Sequence, residues 1–409
     1  MDEPDLVHAV TYSRFRKVDQ LRSPKFWRFV ALPAALLVLL PATGSAQGEG
    51  PRAYWKAPAN THAVGTWMML FNGNASGVNT AVPIEGAAID TRVYLANYTA
   101  FFNLLGRRNQ VSATMPFGSI RGTTTGFNPV NLDVAAKGAA DPTVFWALNL
   151  IGAPAQTLVE YSQWEQRTIL DAQIYMTAPL GSYDDERLLN LGTNRWTVRL
   201  GLPFVQSIGD FKPGRRTTLE LTPSMTFFTD NDSAFRGTSV LEQDPLYKLE
   251  GHVTRDITDK LWVSADALWQ AGGETTVDGE KQDNSQSSLG LGFTVGFGIT
   301  EEVAFQGTWG NTLTDPEDGL NMNMLWLRFT YAWNPTAQAM AKQQAEAAAI
   351  ALLGHQLNTQ QARDTVLQLY TAYQLFRMPV GQHRHHGHLI LTLHFITRMS
   401  QAVGNFAVA

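Results

Sequence analysis

Residues 288 to 299 read SLGLGFTVGFGI and alternate between small and large apolar side chains. In an extended chain, one face of this segment carries its six large apolar residues, and the other carries its glycines and Thr294. The same two-residue alternation recurs along most of the chain, without helical segments that could cover the apolar faces. Lipid is therefore the expected cover, and the pattern predicts a membrane-spanning β-barrel.

A second stretch, LWLRFTYAW at 325–333, alternates in the same way and ends in aromatic residues. Such a segment is typical of the last strand of an outer-membrane barrel. We predict that Phe329, Tyr331 and Trp333 face lipid and form the assembly signal that the barrel-assembly machinery binds.

Alternating stretches bounded by turn residues predict twelve strands between Gln47 and Trp333. They cover 62–72, 91–105, 108–117, 141–152, 168–180, 194–208, 215–229, 244–257, 261–272, 286–299, 301–312 and 322–333. Twelve is even, as a closed single-chain bacterial barrel requires when both termini lie on one side. The predicted fold is all-β: a 12-stranded antiparallel transmembrane barrel of residues 47–333, in the bacterial outer membrane among lipids and lipopolysaccharide.

The predicted connections alternate in length, as in barrels with long outer loops and short periplasmic turns. The odd-numbered connections are the long ones: 73–90, 118–140, 181–193, 230–243, 273–285 and 313–321. The connection 153–167 breaks this rule, because its fifteen residues stand where a short turn is expected. We predict a short amphipathic helix in it, on the periplasmic side.

Residues 1–46 are predicted to form a signal peptide. Their apolar run, Phe29 to Leu40, is too short at 12 residues to span a bilayer as a helix. Basic residues precede this run, and the small residues 44–46 suit cleavage. A short membrane anchor and a buried helix are the alternatives, and a start codon further in remains open.

The chain changes character after Trp333. Residues 334–409 are predicted to form a helical or irregular tail, since an Ala/Gln-rich stretch opens at Pro335 and shows no strand alternation. A periplasmic helix, a fusion scar and a frame-shifted end remain open as explanations. A histidine cluster lies within 383–388, but without paired scaffolding we predict no metal site there, and no cofactor for the chain.

Polar and charged residues lie on the strand face opposite the apolar one, and we predict that they point into the lumen. The candidate lumen residues that set selectivity are Arg199, Glu220, Lys248, Glu250, His252, Asp266 and Arg328. They could form a charged constriction that selects solutes by sign and size. Alternatively, Arg199 pairs with Glu220, while Lys248 or Arg328 pairs with Glu250 and Asp266, and these pairs simply fill a narrow barrel.

Charge also separates the two ends of the predicted barrel. The outer loops are acidic, and their predicted rim includes Asp230, Asp232, Asp315, Glu317 and Asp318. These carboxylates form two clusters, 230–232 and 315–318, that could bind calcium. Neither cluster has the full spacing of a calcium-binding loop, so we favour a solvated rim that faces lipopolysaccharide. From Gln47 to Trp333 the chain has 30 acidic and 20 basic residues, which argues against nucleic acid as a partner.

Catalysis is not indicated. His62 and His252 are the histidines of the predicted barrel, and neither stands beside a serine at a spacing that suggests a nucleophile and its base. We therefore predict that the protein is not an enzyme.

Five strings in order resemble the outer-membrane family named for the meta-pathway of phenol degradation. They are DPTVFWALNLIGAPA (141–155), NRWTVRLGLPF (194–204), FFTDNDSAFRG (227–237), LEQDPLYKLEGHV (241–253) and ALWQAGGETTVDG (267–279). The resemblance covers roughly 63–333 and implies a transporter, in some members of aromatic or hydrophobic compounds. We expect a channel for passive passage of small solutes; a structural or adhesion-type barrel with a closed, ion-paired lumen is the alternative.

Overall fold

The computed structural model describes residues 49–76, 87–124, 132–234, 239–313, 320–356 and 367. Within these ranges the chain forms strands and two helices. The strands are β1 (His62–Gly73), β2 (Ala87–Leu104), β3 (Arg107–Thr124), β4 (Leu132–Ala139), β5 (Thr143–Ile151), β6 (Thr168–Thr177), β7 (Thr197–Gly201), β8 (Phe204–Ile208), β9 (Thr217–Phe228), β10 (Leu241–Gln243), β11 (Leu246–Asp256), β12 (Leu261–Gly272), β13 (Thr275–Val277), β14 (Glu280–Lys281), β15 (Gln286–Gly298), β16 (Val303–Thr312) and β17 (Met322–Trp333). The helices are α1 (Leu158–Gln163) and α2 (Pro335–Gln356).

The large sheet closes into an antiparallel barrel. Neighbouring strands pair in sequence order, and β1 pairs with both β2 and β17, so the first and last barrel strands meet. Two barrel strands are interrupted. The fourth barrel strand consists of β4 and β5, and the sixth consists of β7 and β8, which lie on either side of Pro203. Counted this way, the described residues contain the twelve barrel strands that the sequence predicts. The three short strands β10, β13 and β14 form a separate sheet in the outer loops.

Most predicted strand bounds agree with the structure within a few residues, but the second outer connection does not. Residues 118–140 were expected to be a loop, whereas β3 continues to Thr124 and pairs with β4 over eight residues. This hairpin extension contains mostly Gly, Ala, Thr and charged residues, so its two faces differ little in hydrophobicity. The alternation that identifies the other strands is therefore weak here.

The outside of the barrel is apolar. Leu289 and Leu291 on β15, and Phe329 and Tyr331 on β17, each expose 42–49% of their surface. On the opposite face of β15, Thr294 is fully buried. A closed barrel has no free strand edge, and an apolar outer surface is stable only in lipid. The protein is therefore an outer-membrane barrel.

The connections on the side of the chain termini are short except for the one that contains α1. Between β2 and β3, Leu105 and Gly106 both have positive φ values, 54° and 72°, as a two-residue hairpin turn requires. The predicted helix in 153–167 is present as α1. Thr157 caps it, because its hydroxyl oxygen accepts the Glu160 N–H while the Glu160 carboxylate accepts the Thr157 N–H.

Helix α2 follows the closing strand. It begins at Pro335, where the missing N–H of proline costs no helical hydrogen bond, and it is rich in alanine. Neither described helix is long and apolar enough to cross a membrane. Residues 1–46 and the histidine cluster lie outside the described part of the chain.

Candidate functional site

The segment that precedes β1 lies inside the barrel. We call residues 49–61 the plug. Its sequence, EGPRAYWKAPANT, has no strand alternation and contains two prolines. Its hydrogen bonds instead join it to inward-pointing side chains of β6, β7, β9 and β11. The plug therefore narrows the lumen that the strands enclose.

The tip of the plug is held by Glu250 and Arg199. The Glu250 carboxylate accepts the backbone N–H groups of Glu49, at 3.1 Å, and Gly50, at 2.9 Å. The Arg199 guanidinium donates to the Glu49 carboxylate and lies 4.0 Å from the centre of the Tyr175 ring. Burial raises the pKa of Glu49, and the neighbouring Arg199 lowers it in part. The tip is thus a buried ion pair in contact with a barrel carboxylate.

Arg52 anchors the middle of the plug. Its guanidinium pairs with Asp256 at 2.6 Å and lies between the rings of Trp55 and Trp262, 4.3 Å from each centroid. Asp256 also pairs with Arg216 at 2.7 Å, so two cations share one carboxylate. Cation–π contacts of this kind contribute about 0.5–2 kcal/mol each.

Glu220 binds the same part of the plug from β9. Its carboxylate accepts the Arg52 N–H at 2.8 Å and the Trp55 indole N–H at 2.9 Å. The Thr218 hydroxyl donates to it as well. Glu220 is almost fully buried. Three donors are what a buried carboxylate needs when water is excluded.

A buried ion pair holds the base of the plug. Lys56 Nζ lies 2.5 Å from the Asp171 carboxylate on β6, and both side chains have no exposed surface. Burial lowers the pKa of Lys56, and Asp171 opposes this shift. Asn149 donates to the other Asp171 oxygen at 2.8 Å. The charge of Lys56 is therefore compensated by a single carboxylate.

The long connection with α1 closes over the same base. The Tyr161 hydroxyl and the Gln166 amide both donate to the Lys56 carbonyl, at 2.5 and 2.9 Å, and Gln166 accepts the Lys56 N–H at 2.8 Å. Arg108 donates to the Ala57 carbonyl. These contacts explain why fifteen residues occupy a position where the other turns are short.

His252 lies between two carboxylates in the barrel wall. Its Nε2 is 2.8 Å from Glu250 and its Nδ1 is 2.7 Å from Asp266. Asp266 also accepts the hydroxyls of Ser264 and Thr294, at 2.5 and 2.6 Å. With both carboxylates ionised, both ring nitrogens must carry protons, and the imidazolium then donates to both carboxylates while the three residues together keep one net negative charge.

A cavity of about 340 Å³ remains in the lumen beside the plug. Aromatic, polar and cationic side chains line it together. They include Glu49, Tyr54, Trp67, Asn97, Gln110, Phe145, Tyr175, Arg199, Thr226, Lys248, Trp326 and Arg328. The side-chain amide oxygen of Gln110 and the hydroxyl of Thr226 are buried and have no hydrogen-bond partner in the described residues.

Lys248 and Arg328 reach this cavity without an ion pair. No carboxylate of the described residues lies within 4 Å of either side chain, whereas Arg199 has Glu49. Arg328 instead contacts an aromatic ring, with its guanidinium carbon 5.0 Å from the centroid of Trp67. The cavity is therefore lined by two cations that form no direct ion pair among the described residues, although Glu49 and Glu250 attract Lys248 at longer range.

The cross-strand ion pairs offered as an alternative are not the ones that form. Arg199 pairs with Glu49 and not with Glu220, and neither Lys248 nor Arg328 pairs with Glu250 or Asp266. The carboxylates are already occupied by the plug and by His252. The sequence reasoning missed Glu49, Arg52, Lys56, Asp171 and Asp256 as partners, because these contacts join a segment without periodicity to distant strands.

The remaining predicted residues lie at the two ends of the barrel. Asp230 and Asp232 are exposed in the loop after β9. Asp315, Glu317 and Asp318 lie outside the described residues. Phe329, Tyr331 and Trp333 are on the outward face of β17, and the rings of Tyr331 and Trp333 stack at 5.7 Å. Their part in assembly stays a prediction.

A family model described as "Putative MetA-pathway of phenol degradation" matches residues 72–329. The chain belongs to this family. The match spans more than half of the chain and confirms the resemblance seen in the five sequence strings. No curated protein sequence matches the chain significantly.

Solved structures share the fold. An outer-membrane channel from Pseudomonas putida F1 is 21% identical, with a TM-score of 0.58, and the match covers 69% of this chain and 99% of that one. The translocator domain of the autotransporter NalP from Neisseria meningitidis is 11% identical, with a TM-score of 0.38 and coverage of 67% and 89%. The second alignment is loose, and nothing further rests on it.

Proposed function

We propose that the protein is an outer-membrane channel that lets small solutes pass without energy input, and that the plug controls its width. The observation that carries this proposal is the cavity beside the plug, which is lined by polar and cationic side chains. A barrel that only served as a scaffold would be expected to fill this space with paired or apolar side chains. The channel that is similar in fold is named as such, which is consistent with the proposal.

The competing function is a closed structural barrel. The ion pairs of the plug with Asp171, Arg199 and Asp256 favour it, since they fill part of the lumen. In a channel, either the plug moves out of the lumen or a passage stays open beside it. In a closed structural barrel, neither occurs. A conductance measurement separates them.

The experiment compares the mature protein with a variant that lacks the plug, residues 49–61, both reconstituted in planar bilayers. We expect discrete openings from the intact protein and several-fold larger ones from the variant, because removal of the plug widens the lumen. Extraction and heat-dependent migration on gels check that both barrels are folded. If neither protein conducts, the closed structural function is the correct one.

Enzymatic activity is not part of the proposal. In the His252 network, Ser264 donates to Asp266 and does not contact the imidazole. A serine nucleophile needs a base within hydrogen-bond reach, and this geometry does not provide one.

A further inference from the structure

A water-filled pore does not require aromatic rings, and a hydrophobic passage does not require cations, but this cavity has both. It joins several tilted aromatic rings to two cations that form no direct ion pair with a carboxylate of the described residues. This inference rests on the proposed channel function and concerns the chemistry of the solute.

The cationic part is centred on Arg328. Its cross-strand neighbours are Trp67 on β1 and Gln306 on β16, so the residues directly beside it carry no negative charge. Lys248 adds a second cation from β11. A guanidinium binds a carboxylate through two parallel hydrogen bonds, and a charge-assisted bond is strong where water is largely excluded.

The aromatic part comes from both the plug and the barrel. Trp67 and Trp326 lie 5.4 Å apart between ring centroids, and Phe145 and Tyr175 lie 4.5 Å apart. Tyr54 of the plug lies 6.4 Å from Phe145. Flat rings of this kind favour a flat apolar body, which packs on them by stacking or edge contacts.

Size limits the ligand further. A volume of about 340 Å³ is at the lower end for small-molecule sites, so one ring with a short substituent fits, whereas an oligosaccharide or a long acyl chain does not.

We propose that the cavity is a binding site for small aromatic carboxylates, with the carboxylate held by Arg328 and Lys248 and the ring packed against Trp67 and its aromatic neighbours. The anionic group is essential to the proposal. A neutral phenol or alcohol of the same size lacks the group that would form a direct ion pair with Arg328 and Lys248.

Equilibrium binding to the detergent-folded mature protein tests this, with benzoate as the probe. Benzyl alcohol has the ring without the charge, and acetate has the charge without the ring. We expect benzoate to bind at least about tenfold more tightly than either. Equal binding of benzyl alcohol would overturn the role of the charge, and equal binding of acetate would overturn the role of the ring.

Three variants locate the site. We expect Arg328→Gln and Lys248→Gln each to weaken benzoate binding several-fold, and Arg328→Lys, which keeps the charge but loses the planar fork, to have a smaller effect. Lys260→Gln, an exposed cation in a turn, serves as the control. Unchanged affinity in the folded Arg328 and Lys248 variants would place benzoate elsewhere and overturn the site.

The binding and conductance experiments test the ligand inference and the channel function separately. If the barrel conducts but benzoate does not bind, the ligand inference is wrong and the channel function stands. If benzoate binds but neither the intact nor the plug-deleted protein conducts, the channel function is wrong, and the site belongs to a closed barrel.

Discussion

The interface between plug and barrel differs from the cavity beside it in how buried charge is compensated. At the interface, Lys56 has Asp171, Arg52 and Arg216 share Asp256, and Arg199 has Glu49. In the cavity, Lys248 and Arg328 have no such partner among the described residues. An uncompensated charge in a narrow lumen is costly unless water or a ligand solvates it. The difference supports the proposal that the cavity binds a solute, whereas the ion pairs of the interface hold the plug.

The largest expected effect comes from breaking the buried pair at the base of the plug. In Lys56→Met, Asp171 keeps its charge without its cation, which typically costs about 3–5 kcal/mol. Plug docking should weaken accordingly, and chymotrypsin should cleave after Tyr54 or Trp55 much faster than in the wild type, because cleavage follows the undocked population.

The double variant K56M/D171N is the matched control for this pair. It removes both charges, so most of the protection should return. Lys260→Met should leave cleavage unchanged. If K56M alone is as resistant as the wild type, the pair does not hold the plug.

A smaller effect is expected at Asp256, whose pairs with Arg52 and Arg216 are partly accessible to solvent. Asp256→Asn should raise the single-channel conductance toward that of the plug-deleted protein without reaching it, since Lys56 and Glu220 still bind the plug. Asp259→Asn, an exposed carboxylate three residues away, should behave as wild type. A D256N channel with unchanged conductance would mean that this anchor is dispensable.

These experiments concern contacts that the sequence could not predict, whereas the barrel itself was predictable. Lipid on one side and a polar lumen on the other impose a period of two, so β12 and β17 begin and end where the sequence predicts. The orientation of Glu220 and His252 follows from the same period.

The plug obeys no such period, which is why its partners were missed. Arg52 and Glu220 are 168 residues apart, and Gly50 and Glu250 are 200 apart. Local propensity carries no information about contacts of this range. The pair of Arg199 with Glu220, one of the two alternatives that the sequence left open, does not form for the same reason, since both residues bind a segment that is not a strand.

We expect a moderate effect on ion selectivity. This effect should differ between Arg199, which forms an ion pair with Glu49, and Arg328, which forms none among the described residues. Arg328→Gln removes one positive charge from the lumen and should shift permeability toward cations to the same extent at every pH. Burial raises the pKa of Glu49, and Arg199 lowers it in part. In Arg199→Gln this lowering is lost, so the pKa of Glu49 rises further. Glu49 then takes up a proton in acid and partly cancels the change.

The cation preference of R199Q should therefore be small at acidic pH and grow as the pH rises and Glu49 ionises. Reversal potentials across a salt gradient, measured over a pH series, give both profiles. The double variant R199Q/E49Q removes the titrating group and should be flat. A pH-dependent R328Q and a flat R199Q would contradict the assignment of Glu49 as the partner of Arg199.

The smallest effect is expected at the helix cap of α1. Thr157→Ala removes the capping hydroxyl at a cost of about 0.5–2 kcal/mol, and only part of this reaches the plug through Tyr161 and Gln166. Cleavage by chymotrypsin should rise slightly, with Ser162→Ala on the same helix as the control. An effect as large as that of K56M would assign α1 a greater part in docking than its contacts indicate.

Asn334, the residue directly after the closing strand, donates to the Ala59 carbonyl and the Thr61 hydroxyl, both at 2.9 Å. Its partners lie where the plug becomes β1, so the last residue of the barrel fixes the hinge of the first segment. During synthesis the plug emerges long before Asn334 exists. These two hydrogen bonds can therefore form only after β17 has been synthesised, later in chain order than the partners on β6, β7, β9 and β11 that hold the rest of the plug.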